Sequence, residues 1–386
     1  MKIVCASDSF KGSLSSEKIG EIVGRAAQEA FSACDYHQII MADGGEGTLH
    51  AVAAASENVK ILSYLVNDPL GRKTPASLAI FPDQNRALIE LAEASGLTKL
   101  TDAERNPLYT STFGTGQLIL QALTLGMENI TIAIGGSATN DGGTGAMEAL
   151  GVQFLGKSGQ VLSGNGINLA KIESISLEKM DERVKNASFT VMCDVKNPLT
   201  GTNGATYVFS PQKGATKEDV MLLEEGMLHY ERILEKTFPV QSGYPQPSKI
   251  IGGGAAGGIG AAFALFLHAT MQSGAETILE LCHFKELIKD ADLVITGEGC
   301  LDSQTASGKV ISAVASYCKD LQIPCCAIVG TCKEQTTAIR DTGITEILEI
   351  KPANCSIEES IKNGEQFYDT TVRKLFADLN VLLSFI

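Results

Sequence analysis

The chain has 386 residues, 44% of them hydrophobic and 20% charged, the profile of a soluble globular protein with material for more than one core. Its formal net charge of −14 repels nucleic acid and anionic membrane surfaces, so neither is expected as a partner. Ten cysteines show no C-x-x-C pair and no zinc-like spacing, and several sit in apolar strand patterns such as residues 323–329, which fits a reducing, cytoplasmic setting.

Residues 2–6 are the pattern of a buried strand ending in Ser7-Asp8, not of a signal peptide, and no apolar run approaches membrane-spanning length. A polar loop, Ser7 to Ser13, precedes a helix that Ser15 or Ser16 caps and whose apolar positions Ile19, Ile22, Val23, Ala26 and Ala30 share a face. A second strand over residues 38–41 ends in Asp43-Gly44-Gly45-Glu46-Gly47. The result is a βαβ unit with an acid-bearing loop after each strand.

From residue 59 to residue 91 short strands and turns alternate in antiparallel fashion. Helical patterning follows at 116–125, then a strand at 129–134, a hairpin around Lys157-Ser158-Gly159, a strand at 188–193 ending in Asp194, and a long helix over 216–236. Residues 252–260 open an apolar helix expected over 261–271. After about residue 280 buried strands at 293–296, 325–329 and 346–350 alternate with helix-length segments, as in a parallel wound sheet. The expected fold is α/β with two domains. Residues 1–58 plus 280–386 form a discontinuous Rossmann-like or flavodoxin-like domain, and 59–279 an inserted mixed α/β domain with antiparallel strands, the active site lying in the cleft between them.

The stretch Ile134 to Gly145 carries five glycines together with Ser137, Thr139, Asn140 and Asp141 between a strand and a helix start. Glycines let backbone N–H groups approach a ligand, and anionic oxygen is the natural guest. Two other glycine patterns mislead. Gly151 to Ser158 matches the P-loop letter for letter, but its interior is apolar strand material and no helix follows. Gly252-x-Gly254-x-x-Gly257 matches the dinucleotide fingerprint behind a poor strand; a glycine-rich anion site and close helix packing are equally good readings.

Asp8, Asp43, Asp141, Asp194 and Glu298 each follow an apolar strand pattern beside Gly, Ser or Asn. Acids recurring at strand ends point to the crevice of an α/β sheet, and clustered carboxylates suit Mg²⁺ plus a general base for phosphoryl transfer. Lys11, Lys213 and Lys309 lie in glycine-flanked loops and are candidates to hold a carboxylate or phosphate. The five histidines form no constellation, which leaves a Ser-His-Asp hydrolase or His-based dehydrogenase little support.

Seven blocks in order resemble the signatures of the type I glycerate kinase family: residues 6–13, Ala42-Asp43-Gly44-Gly45-Glu46-Gly47-Thr48, 135–143, Cys193-Asp194-Val195-Lys196-Asn197-Pro198-Leu199, 211–215, 254–258 and Ile295-Thr296-Gly297-Glu298-Gly299. The resemblance implies ATP-dependent phosphorylation of D-glycerate, leaning toward the 2-hydroxyl, by a cytoplasmic two-domain enzyme without a Walker A motif. It departs from the family at Ser7, usually proline, and at Cys300, usually a basic residue.

On that resemblance, Gly135, Gly136, Ser137, Thr139, Asn140, Gly254, Gly257 and Gly258 would cradle ATP, and Asp43, Asp141, Asp194 and Glu298 would hold Mg²⁺. Asp194, Asp43, Lys11 and Lys213 would form the catalytic set, with Asp194 the expected base. Asp8, Ser9, Lys11, Glu298 and Asp302 would contact D-glycerate. A homo-oligomer is compatible with the sequence. Two rivals stand beside this reading: a dinucleotide-dependent oxidoreductase using Gly252, Gly254 and Gly257, and a non-catalytic nucleotide or sugar-acid sensor.

Overall fold

The computed structural model describes residues 1–41, 45, 47–54, 58–301, 310–332 and 341–383. Its strands in chain order are β1 (Lys2–Ser7), β2 (Asp35–Ile40), β3 (Lys60–Asn67), β4 (Lys73–Phe81), β5 (Arg86–Glu90), β6 (Asn129–Ala133), β7 (Gln153–Leu155), β8 (Val161–Leu162), β9 (Ser174–Ser176), β10 (Ser188–Met192), β11 (Thr270–Gln272), β12 (Leu293–Leu301), β13 (Cys325–Cys332) and β14 (Glu346–Glu349). Two compact units emerge, one of Met1–Ala42, His50–Ser56 and Ala275–Ile386, the other of Asp43–Leu49 and Glu57–Gly274.

The first unit is built on an all-parallel sheet ordered β14-β13-β12-β1-β2. Its central strands are β-branched and apolar, and they are buried on both faces, as parallel sheets require. The helix Ser16–Ala30 starts where the Ser15 hydroxyl accepts the Lys18 N–H at 3.2 Å, and it buries Ile19, Ile22 and Val23. The C-terminal helix Gly364–Leu383 seals the same core through Tyr368, Val372 and Phe376, with Phe31 and Phe376 edge-on at 5.5 Å. The chain runs from β1 to β2 on one side and from β12 to β14 on the other. The order therefore reverses between β1 and β12, where open α/β sheets bind ligands beyond the carboxyl ends of the strands.

The second unit carries a mixed sheet ordered β11-β10-β6-β5-β4-β3. Strands β3, β4 and β5 pair antiparallel, as the alternating pattern of residues 59–91 implies, while β5, β6, β10 and β11 pair parallel. A small antiparallel sheet, β8-β7-β9, contains the Gly151–Ser158 stretch: β7 turns back at Gly156, whose N–H donates to Gln160 O at 2.9 Å. A hairpin cannot present the nest of amides that a phosphate loop needs. The helix Lys217–Thr237 opens with a capping box between Thr216 and Asp219 and buries Leu223, Met227, Tyr230 and Leu234.

Two sequence expectations change. The helical segment Ala255–Phe266 is broken near its start by left-handed Ala256, Gly257 and Gly258, and residues 270–272 form β11 instead of continuing it, because His268 enters the left-handed region at φ +51° and ends the helical path. Strand β12 continues through Leu301 instead of stopping near 296, so Glu298 lies within the strand, paired with Val329. No helix among the described residues is long and apolar enough to cross a membrane.

Candidate functional site

In the second unit the parallel register aligns Glu90 with Ala133, Ala133 with Met192, and Met192 with Gln272. The segments leaving these residues therefore share one sheet edge: residues 91–96, the loop 134–145, Cys193-Asp194, and Ser273-Gly274. Asp194 is exposed there, and its Oδ1 accepts the Gly274 N–H at 3.1 Å.

The loop 134–145 organises itself around its own acid. Asp141 is fully buried, and its carboxylate accepts from Gly143 N at 3.1 Å, Gly145 N at 3.2 Å, Thr112 N at 2.8 Å and the Thr112 hydroxyl at 2.7 Å. Burial pushes its carboxyl above the usual carboxylate range, and these donors only partly offset that. The carboxylate thus occupies the amide-rich helix start (Thr144–Ala149) that the sequence offers to an external anion. Both oxygens of Asp141, expected from the sequence at a metal, are engaged by the loop and by Thr112.

Lys213 reaches the same loop from the turn Pro211–Lys213. It is 2% exposed, and its ammonium donates to the Ser137 hydroxyl at 2.7 Å and to Thr139 O at 2.6 Å. Burial lowers its pKa to about 7, opposed by the nearby Asp141 carboxylate. A buried cation therefore underlies a loop whose outer part is half-buried Gly135 and exposed Gly136, the latter at φ +71°. Thr139 and Asn140 are fully buried. The Asn140 amide donates to Thr206 Oγ1 at 3.2 Å, while Thr139 Oγ1 and Asn140 Oδ1 are buried without a hydrogen-bond partner among the described residues.

The second glycine run packs directly on this loop. A Cβ on Gly257 would lie 2.1 Å from Thr139 O, one on Gly258 would lie 2.9 Å from Gly142 Cα, and one on Gly254 would lie 2.1 Å from Pro198 O. All three glycines are buried, so the structure uses them for close backbone approach. The segment before them, Pro247–Lys249, is a short 3-10 turn and not a strand, which removes the element a dinucleotide fingerprint requires.

At the first unit's switch point, Asp8 N–H donates to Gly297 O at 2.9 Å, which places Asp8 next to the strand that carries buried Glu298. Asp8 is half-buried, and its Oδ1 accepts the Ser9 N–H at 2.7 Å. Lys11 is exposed two residues farther on. Asp8, Ser9, Lys11 and Glu298 thus gather at one edge of the parallel sheet.

A model of the glycerate kinase family matches residues 3–380. The chain belongs to the glycerate kinase family. It is 39% identical over 381 residues to a glycerate kinase of Bacillus subtilis (strain 168), covering 99% of this chain and 98% of that protein. It is 39% identical over 373 residues to a glycerate 2-kinase of Escherichia coli (strain K12), covering 97% of this chain and 96% of that one. A crystal structure assigned to glycerate kinase 2 from Salmonella typhimurium LT2 superposes with a TM-score of 0.83 at 38% identity, covering 100% of this chain and 99% of that one.

In this member of the glycerate kinase family, Asp43, Asp302 and Lys309 lie outside the described residues. Among the described residues no group of three or more His, Cys, Asp or Glu is placed to hold a metal ion. Of the four acids expected at a metal, Asp43 lies outside the described residues, Asp141 and Asp194 belong to the second unit and Glu298 to the first. Sequence reasoning passed over two residues. Thr112 ties the start of the helix Phe113–Thr124 to Asp141. Glu90, 2% exposed, accepts Gly47 N at 2.9 Å and Leu49 N at 3.1 Å. Glu90 carries the same signal as the other acids, a carboxylate closing an apolar strand.

Proposed function

We propose that this glycerate kinase family member transfers the terminal phosphoryl group of ATP to D-glycerate, with 2-phosphoglycerate the favoured product. The family match over residues 3–380 is the observation that carries the reading. The sheet edges support it: one presents a glycine loop over a buried cation, the other Asp8, Ser9, Lys11 and Glu298.

The loop suits a nucleotide. Exposed Gly136 offers backbone without a Cβ, the orphaned Thr139 hydroxyl and Asn140 oxygen await polar partners, and Lys213 adds positive potential from behind. Magnesium that arrives on a nucleotide needs only one or two protein carboxylates, because phosphates and water complete its shell. Asp194 and Glu298 meet that demand; Asp141 does not. When bound, the ion would neutralise phosphate charge.

Asp194, exposed at the end of β10, is the proposed acceptor of the glycerate hydroxyl proton. Lys11, in its exposed loop, is proposed to bind the glycerate carboxylate, with Ser9 and Asp8 engaging its hydroxyl groups. Positioning and charge neutralisation supply most of the rate in such chemistry. A coupled assay for ADP release tests the activity. Release that requires both D-glycerate and MgATP is expected, and release indifferent to D-glycerate contradicts it.

A further inference from the structure

The entry to the helix Thr48–Ala54 is tied to the sheet through Glu90. Glu90, the last residue of β5, is 2% exposed; its Oε1 accepts Gly47 N at 2.9 Å and its Oε2 accepts Leu49 N at 3.1 Å. An ionised carboxylate is costly to bury unless donors replace its water, and backbone N–H groups on both oxygens supply that replacement. A neutral amide cannot accept at both atoms. The captured backbone is locally braced as well: Thr48 is fully buried and its hydroxyl donates to Gly45 O at 2.7 Å, while Gly47 turns through φ +87°.

The same short stretch of chain also grips the glycine loop. Glu90 pairs in register with Ala133, the residue from which that loop departs, and six residues on Gly96 bridges to Ser137 while Ser95 O accepts Ala138 N–H at 2.9 Å. Residues 90–96 therefore hold Gly47 and Leu49 at one end and Ser137 and Ala138 at the other.

We propose that Glu90 is a positioning residue for phosphoryl transfer: by clamping Gly47 and Leu49 it sets that backbone in fixed relation to the loop 134–145. This rests on the kinase reading above, and Glu90 acts through the backbone it holds, not on substrate. A misplacement of about 1 Å at reacting groups costs on the order of 100-fold in rate, so release of the clamp appears in turnover.

The test compares wild type with Glu90→Gln and Glu90→Asp in the ADP-release assay and in hydrogen exchange read by mass spectrometry without substrate. Glu90→Gln keeps the volume but sets an N–H₂ group against a backbone N–H. The expected result is a kcat lowered on the order of 10- to 100-fold with little change in KM for ATP, and faster exchange confined to peptides covering residues 45–54. Glu90→Asp, which keeps both acceptor oxygens, recovers part of both. Unchanged kcat in Glu90→Gln overturns the proposal, as does a lowered kcat with exchange either unaltered or accelerated along the whole chain. A wild-type enzyme silent toward D-glycerate brings down the kinase reading and the proposal with it, whereas an active wild type beside an equally active Glu90→Gln brings down the proposal alone.

Discussion

The Lys213 ammonium lies 2.7 Å from the Ser137 hydroxyl, inside the protein and beneath the exposed turn of the glycine loop. Its pKa, lowered by burial from 10.5 to about 7, gives that contact a pH dependence. Between about 7 and 10.5 an unfolded lysine keeps a proton that the folded one lacks, so folding is favoured increasingly as pH rises through that window. Each pH unit adds at most about 1.4 kcal/mol. Urea unfolding at pH 7 and pH 9 is expected to show wild type gaining on Lys213→Met as pH rises; a constant gap contradicts it. Nucleotide binding moves the other way, because the loop loses its positive charge: KM for ATP rises over the same interval in wild type and stays level in Lys213→Met.

Asp141 is a structural acid, and its replacement separates that role from metal binding. Asp141→Asn places an amide group against the N–H donors of Thr112, Gly143 and Gly145. A loss of about 2 to 4 kcal/mol in unfolding free energy is expected. Unaltered stability accompanied by a weaker response to Mg²⁺ would return Asp141 to the metal site.

Two glycines at similar φ separate packing from ligand access. Gly257→Ala drives a Cβ to 2.1 Å from Thr139 O at φ +74°, and should cost about 3 kcal/mol or more. Gly136→Ala meets only Ala92 Cβ, at 3.3 Å, so it should cost about 1 to 2 kcal/mol from its φ of +71° while raising KM for ATP. Thermal unfolding and initial-rate kinetics on both variants check the contrast. Equal stabilities would mean that the two glycine-rich segments do not pack as described.

Asp194 is exposed, and the Oδ1 that accepts the Gly274 N–H is an acceptor that asparagine also carries, so Asp194→Asn should leave the melting temperature nearly unchanged. As the proposed base it should lose kcat by about 100-fold or more, with a far smaller rise in KM for ATP. Near-wild-type turnover in that variant removes Asp194 from the role.

Much of this fold is legible in the residues, because parallel strands buried on both faces leave continuous apolar runs while β3 to β5 leave alternation and turns. The false P-loop is legible too, since Phe154 and Leu155 are strand residues where a phosphate loop needs open backbone. What a linear pattern does not carry is the direction of a side chain at a strand end. Asp141, Asp194 and Glu90 share one signature, yet one turns into its own loop, one faces solvent and one clamps a distant segment. The partner that decides between those fates lies 29 residues away for Asp141 and 43 residues away for Glu90. The glycine run at 252–260 is ambiguous for a similar reason: a Cβ-free surface serves a ligand or a neighbouring backbone equally, and only the contacts with Thr139, Gly142 and Pro198 choose. The helix end at Phe266 escapes the apolar pattern because a periodicity cannot register one left-handed residue, His268.

Phosphorus NMR of D-glycerate incubated with MgATP and the purified protein tests the central claim most directly. A new phosphomonoester resonance matching 2-phosphoglycerate, growing in step with ADP, is the predicted result. ATP left intact, or a phosphorylated product that does not contain glycerate, would contradict it.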